Sequence, residues 1–216
     1  MHKLDDIAER IREFFDAQTA ARDRALAQTR TLTRHCAMAI RAIHRNDREQ
    51  AQQELQSARQ LVSELQEYLK EYPDLYYAGY TQDALKEYAE AQIVFAQLTE
   101  QPLPGPESLG LEYATYLKGL AESIGELRRH CLDILRDGYS SDAELMLGYM
   151  DDIYDILVTM DYPDAITGGL RRLTDIARSI NERTRGDLTL NLRQAQLENS
   201  IKSLEEKLRS ENQPQE

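Results

Sequence analysis

The residues of this chain best placed to do chemistry are Glu87 and Glu90, within Asp83-Ala84-Leu85-Lys86-Glu87-Tyr88-Ala89-Glu90-Ala91-Gln92-Ile93-Val94-Phe95. Helical residues three apart share a face. At about 100° per residue, Asp83, Glu87, Glu90 and Val94 fall within an arc of roughly 60°. Leu85, Tyr88, Ala89, Ala91, Ile93, Phe95 and Leu98 occupy nearly every other direction. Carboxylates on a helix so covered need a compensating partner, because uncompensated buried charge is expensive. A divalent cation is one such partner: hard cations such as Mg²⁺ prefer oxygen ligands, and two carboxylates a helical turn apart can share one ion. Water, or an arginine from a partner, on that same face is the competing reading.

A second constellation is basic. Arg30, Arg34, Arg41, Arg45 and Arg48 lie within roughly 60° of one another on a helical projection, with Leu32, Cys36, Ala39, Ile40 and Ile43 on the opposite side. The outer stripe is arginine alone, whereas solvated faces ordinarily mix signs. Arginine suits phosphate because its planar fork donates two parallel hydrogen bonds. The formal net charge of −12 argues against indiscriminate nucleic-acid binding, so any such binding must use a local basic surface of this kind.

Composition sets what positions these groups. The 216 residues include only 10 Gly, 6 Pro and no Trp, and Ala, Leu, Glu, Arg and Gln all favour helix. Helices are expected over about 4–17, 19–44, 47–71, 81–99, 108–137, 141–160 and 164–184. A loop is expected at 74–80, and the clearest break is Gln101-Pro102-Leu103-Pro104-Gly105-Pro106, too short for a domain linker. No strand pattern or internal repeat is visible. The expectation is an all-α, single-domain bundle of about seven helices over 1–209, with a disordered tail at 210–216. Leu190, Gln194, Leu197, Ile201, Leu204 and Leu208 repeat at four- and three-residue steps. Such a seam either docks on the bundle or pairs between subunits.

Cys36 and Cys131 have no C-x-x-C neighbour or His cluster and read as buried thiols of a reduced compartment. The N-terminus lacks the apolar run of a signal peptide, and no stretch approaches a membrane span. A cytoplasmic protein without membrane attachment is expected.

Several strings, in order, resemble the translin superfamily, which comprises translin, translin-associated factor X and archaeal homologues. Tyr116-Leu117-Lys118-Gly119-Leu120 and Gly125-Glu126-Leu127-Arg128-Arg129 look like its central helix. Thr29-Arg30 with Ile43-His44-Arg45, then Gly138-Tyr139-Ser140 and Thr184-Arg185-Gly186-Asp187-Leu188, resemble further family segments, so the likeness spans residues 20–200. Lys86-Glu87-Tyr88-Ala89-Glu90-Ala91 is similar to the Glu-Tyr-x-Glu-Ala motif of the nuclease-competent branch, and Tyr154-Asp155 to its later Tyr-Asp dipeptide.

The resemblance implies a translin-like fold and a closed homo-oligomer, an octamer, with the acidic site facing an enclosed cavity. It implies a metal site of Glu87, Glu90 and Asp155, with Glu126 as a fourth catalytic carboxylate, holding Mg²⁺ or Mn²⁺. Periodicity by itself would leave Asp155, Glu122 and Glu126 on solvated faces opposite the apolar stripes of their helices. The implied activity is a metal-dependent endoribonuclease on single-stranded RNA. Arg30, Arg34, Arg41, Arg45 and Arg185 would hold the backbone of RNA, or of single-stranded DNA, without regard to sequence. Arg185 would alternatively cap a helix C-terminus before Gly186. A non-catalytic single-strand binder like translin and a structural helical oligomer are the alternatives.

Overall fold

The computed structural model describes residues 2–211, with side-chain surroundings for 3–209. Among them every regular element is a helix, and the chain is all-α. Six helices are long: α1 (His2–His44), α2 (Arg48–Leu69), α4 (Gly79–Leu98), α6 (Tyr113–Leu135), α7 (Ser141–Thr159) and α9 (Leu170–Glu211). Between them lie three single turns: α3 (Pro73–Tyr76), α5 (Pro106–Leu109) and α8 (Asp164–Thr167). The chain divides within α6 into two compact units, Met1–Ser123 and Ile124–Glu216. The expected disordered tail, 210–216, lies outside the described residues from 212 onward; 210 and 211 are the last residues of α9.

No glycine or proline occurs before Pro73, so nothing interrupts α1. The two helices expected over 4–17 and 19–44 are therefore one. What changes near residue 18 is the surroundings: Leu4, Ile11, Phe14 and Phe15 are exposed, whereas Ala21, Ala25, Leu32, Cys36, Ala39 and Ile43 are buried. The chain then reverses through Arg45-Asn46-Asp47. Asn46 takes a left-handed φ of 60°, and the N–H groups of Asn46 and Asp47 donate to Ile43 and Ala42 carbonyls at 2.9 and 3.0 Å. This Schellman closure satisfies the last carbonyls of α1. Asp47 then caps α2, its Oδ1 accepting from the Gln50 N–H at 3.0 Å.

α1 and α2 form an antiparallel pair. Its register is marked by His35 Nδ1 at 2.6 Å from Glu54 Oε2 and by Arg24 stacked 4.0 Å from the Tyr68 ring centroid. α4 packs against α1 through small side chains, with Ala84, Ala89, Ala91 and Ala96 all buried beside Leu85, Ile93 and Val94. Tyr88 is sunk in this core, and its hydroxyl accepts from Arg59 Nε at 3.4 Å. Each fully buried Leu or Ile contributes about 1.5–3 kcal/mol relative to exposure, and this supplies most of the favourable term.

Four segments depart from the boundaries expected from sequence. The 74–80 stretch contains the turn α3, and α4 begins at Gly79. The 108–137 helix starts only at Tyr113, after Gly110 (φ 68°) closes α5. The 164–184 helix is a single turn, α8, then Gly168-Gly169 with positive φ, then α9. Finally, α9 does not stop at Gly186. A helical glycine costs about 1 kcal/mol against alanine, but α9 is held on both sides of it. Arg185 Nη2 meets Asp151 Oδ2 at 2.7 Å, Asp187 Oδ2 accepts from Arg128 Nη2 at 2.9 Å, and Leu188 is buried.

In the second unit, α7 turns Ala143, Met146, Met150, Ile153 and Leu157 inward. Leu145 and Ile156 are exposed. Asn181 on α9 donates to the Met150 carbonyl at 2.9 Å and to Asp151 Oδ1 at 3.1 Å. The C-terminal seam does not dock on this chain: Leu190, Leu197, Ile201, Leu204 and Leu208 are all about half exposed or more. Both cysteines are free, buried thiols. Among the described residues, no helix is long and apolar enough to cross a membrane.

Candidate metal centre

The acidic pair is part of a larger cluster. One carboxylate oxygen from each of Glu87, Glu90 and Glu122 lies within 4.8 Å of the other two. Glu90 is 9% exposed, while Glu87 and Glu122 are half-buried. The donor set is oxygen only, which fits a hard cation such as Mg²⁺ or Mn²⁺ rather than a thiophilic one.

Glu122 reaches the pair because Gly119, one helical turn earlier on α6, lets two backbones nearly touch. A Cβ at Gly119 would stand 2.6 Å from Ala89 Cβ, 2.8 Å from the Lys86 carbonyl oxygen and 3.0 Å from the Glu90 nitrogen. Further along the same contact, Thr115 Oγ1 donates to Gln82 Oε1 at 2.5 Å, and Tyr116 donates to the Pro104 carbonyl at 2.9 Å. Sequence reasoning passed over Glu122 in favour of Glu126. The signal that could have found it is its i,i+3 relation to Gly119, which puts both on one face.

Lys86 enters the cluster as a cation. Its Nζ lies 2.6 Å from Glu122 Oε2 and 3.5 Å from Glu87 Oε1, on a side chain only 15% exposed. Burial opposes its charge, but the hydrogen bond and charge of Glu122, with Glu87 and Asp83, outweigh this and hold it above the ordinary lysine range. Behind the cluster, burial pushes the Cys36 thiol far up, reinforced by Glu87 and Glu90. A fully buried thiol in this setting is a poor nucleophile.

The arginine stripe divides at the turn. Arg30, Arg34 and Arg41 are exposed on α1. Arg45 stands in the turn, donating to Gln50 Oε1 at 3.3 Å, and Arg48 opens α2. A groove of about 400 Å³ between α1 and α4 is lined by Arg30, Thr33, Tyr80, Asp83 and Glu87. The stripe thus reaches the acidic cluster through Arg30.

The remaining sequence-predicted residues belong to the second unit. Asp155 is exposed on α7. Glu126 is half-buried on α6, with Arg129 Nη1 3.6 Å from its Oε2. Arg185 is committed to Asp151 within a continuous α9, so it caps no helix terminus. Two strings that carry the family resemblance interlock here, since Arg128 Nη1 also donates to Thr184 Oγ1 at 2.8 Å. Burial pushes the Cys131 thiol up to about 11, opposed by Arg128 and reinforced by Asp187.

A fold of long helices is shared with solved structures of the C3PO type. AfC3PO in complex with duplex RNA matches at a TM-score of 0.79 and 33% identity, over 85% of this chain and 95% of that chain. A further crystal structure of AfC3PO gives 0.78 at the same identity and coverage. Apo-NeC3PO gives 0.78 at 21% identity, a likeness of fold. An uncharacterized protein of Methanocaldococcus jannaschii is 29% identical over 188 residues, 86% of this chain and 83% of that protein. No protein-family model matches the sequence. The chain belongs to the translin superfamily.

Proposed function

We propose that this chain is a Mg²⁺- or Mn²⁺-dependent endoribonuclease that binds and cleaves single-stranded RNA. The observation that carries this reading is the convergence of Glu87, Glu90 and Glu122 within 4.8 Å. The groove that joins the cluster to Arg30 adds weight, and the duplex RNA bound by AfC3PO supports RNA as the partner, though not the strand preference. Glu87 and Glu90 would hold the ion, assisted by Glu122. A divalent cation there would supply Lewis-acid polarisation of a phosphoryl oxygen and would lower the pKa of its bound water toward neutrality. Arg30, Arg34, Arg41 and Arg45 hold the phosphodiester backbone and neutralise its charge, so recognition is independent of base identity. No protein nucleophile would be required: water would form the new bond to phosphorus as the bond to the leaving ribose oxygen breaks, one water proton would end on that oxygen, and the carboxylates would hold the ion.

The deciding experiment is cleavage of a labelled single-stranded RNA in Mg²⁺ against excess chelator, with a duplex of the same sequence alongside. Full activity in chelator would overturn metal dependence, and cleavage of the duplex alone would overturn strand preference. One observation favours the second reading, a non-catalytic single-strand binder: Lys86 already partners Glu122 and Glu87. That reading predicts RNA retention without cleavage at any Mg²⁺ or Mn²⁺ concentration.

The arginine stripe gives a separate prediction. Replacing Arg30, Arg34, Arg41 and Arg45 together with Ala should weaken single-stranded RNA binding by tenfold or more at moderate salt. The slope of log K against log salt should also flatten, because fewer phosphate contacts release fewer counterions on binding. Helix content by circular dichroism should not change, since all four side chains are exposed. An unchanged affinity and slope would make the stripe a solvated face.

The homo-oligomer, an octamer by family resemblance, is supported by two exposed apolar stripes. One is Leu4, Ile11, Phe14 and Phe15 on α1, and the other is Leu190, Leu197, Ile201, Leu204 and Leu208 on α9. Contiguous exposed apolar surface of this kind marks contact sites. Light scattering at micromolar concentration should return a multimer, and a strictly monomeric species would remove the assembly.

A further inference from the structure

Resting on the metal reading above, we infer that Lys86 is a built-in competitor of the divalent cation and sets how tightly the cluster holds it. Three carboxylates within 4.8 Å repel one another, and an empty cluster of this kind needs a positive charge nearby. Lys86 provides it: its Nζ is in contact with Glu122 at 2.6 Å and within 3.5 Å of Glu87. Lys86 touches two of the three carboxylates, Glu122 and Glu87, whose oxygens a divalent ion would need. The lysine is not a surface residue passing by. Its side chain is 15% exposed, against 30% for Glu122 and 34% for Glu87. Its backbone is pinned as well, because the Lys86 carbonyl oxygen lies 2.8 Å from where a Gly119 Cβ would stand.

Two consequences follow from this placement. Glu122 must exchange its ammonium partner for the metal, or share it, so part of the binding free energy of the ion is used in loosening Lys86. The metal-free cluster is also kept folded without a metal, since the lysine screens the carboxylate repulsion. Lys86 is thus a positioning residue that tunes cation affinity, and it contacts neither RNA nor the reacting phosphate in this account.

The test is calorimetric titration of MnCl₂ into the metal-free full-length chain, for wild type and for Lys86→Met, Lys86→Gln and Lys86→Arg. Lys86→Met and Lys86→Gln should each bind Mn²⁺ at least tenfold more tightly than wild type, and Lys86→Arg should stay within about threefold of it. The two neutral variants should melt at lower temperature than wild type without metal and recover in saturating Mn²⁺. Lys86→Gln retains a hydrogen-bond donor toward Glu122 and so guards against a Lys86→Met chain that does not fold. If wild type binds Mn²⁺ and neither neutral variant binds it more tightly, the competition is wrong while the metal site stands. If neither wild type nor either neutral variant binds Mn²⁺ at millimolar concentration, the metal reading falls and the competition with it.

Discussion

Glu87→Gln is expected to reduce Mg²⁺-dependent RNA cleavage by about a thousandfold or more, roughly 4 kcal/mol of barrier, while leaving single-stranded RNA affinity within about twofold. The amide keeps the size and shape of the carboxylate but removes the charge that holds a hard cation. On the proposed reading it takes away no phosphate contact, because the arginines of α1 and the following turn would hold the backbone. The metal-free protein should melt at the same temperature or higher, since one of three mutually repelling carboxylates has been neutralised. Asp155→Asn, on α7 in the second unit, tests a carboxylate that the family resemblance alone implies, and loss of cleavage with unchanged folding is the expected result. Glu122→Gln should lose cleavage too, and this separates a three-glutamate cluster from one in which Glu122 serves only as the lysine's partner. Wild-type rates in the Glu87 and Asp155 variants would sink the nuclease reading.

Gly119→Ala is expected to destabilise the protein by about 2 kcal/mol, although alanine gains roughly 1 kcal/mol in helix propensity. The new methyl would fall within 3.0 Å of Ala89 Cβ, the Lys86 carbonyl oxygen and the Glu90 nitrogen. Two of those atoms are backbone and cannot rotate away, so the helices must separate. Overpacking of this kind costs about 1–3 kcal/mol and occasionally more. Separation also carries Glu122 away from Glu87 and Glu90, so Mn²⁺ affinity should fall along with the midpoint of urea unfolding. Ala89→Gly in the same chain should recover only part of the loss, because the clash with the Lys86 carbonyl remains. A Gly119→Ala protein with unchanged midpoint and unchanged Mn²⁺ affinity would show that the close approach does not position the site.

Much of this was legible in the residue order. The absence of glycine and proline before Pro73, together with helix-favouring composition, determined an all-α chain, because local propensity and the apolar period agree over long runs. The Glu87/Glu90 face and the arginine stripe followed from the same 3.6-residue geometry, since a helix places residues on faces without reference to any other segment. The inward set of α1, from Leu32 to Ile43, is buried as its spacing requires.

The tertiary structure decided the rest. Whether α9 breaks at Gly186 was not a local question. Its continuity depends on Asp151 and Arg128, which are distant in sequence. The membership of Glu122 in the acidic cluster, and the arrival of Lys86 beside it, depend on a backbone approach at Gly119. In sequence, that glycine looks only like a weak helix former. Helical periodicity reports which direction a side chain takes from its own axis; which other axis lies there, and how near, is set by packing between segments that the periodicity does not see.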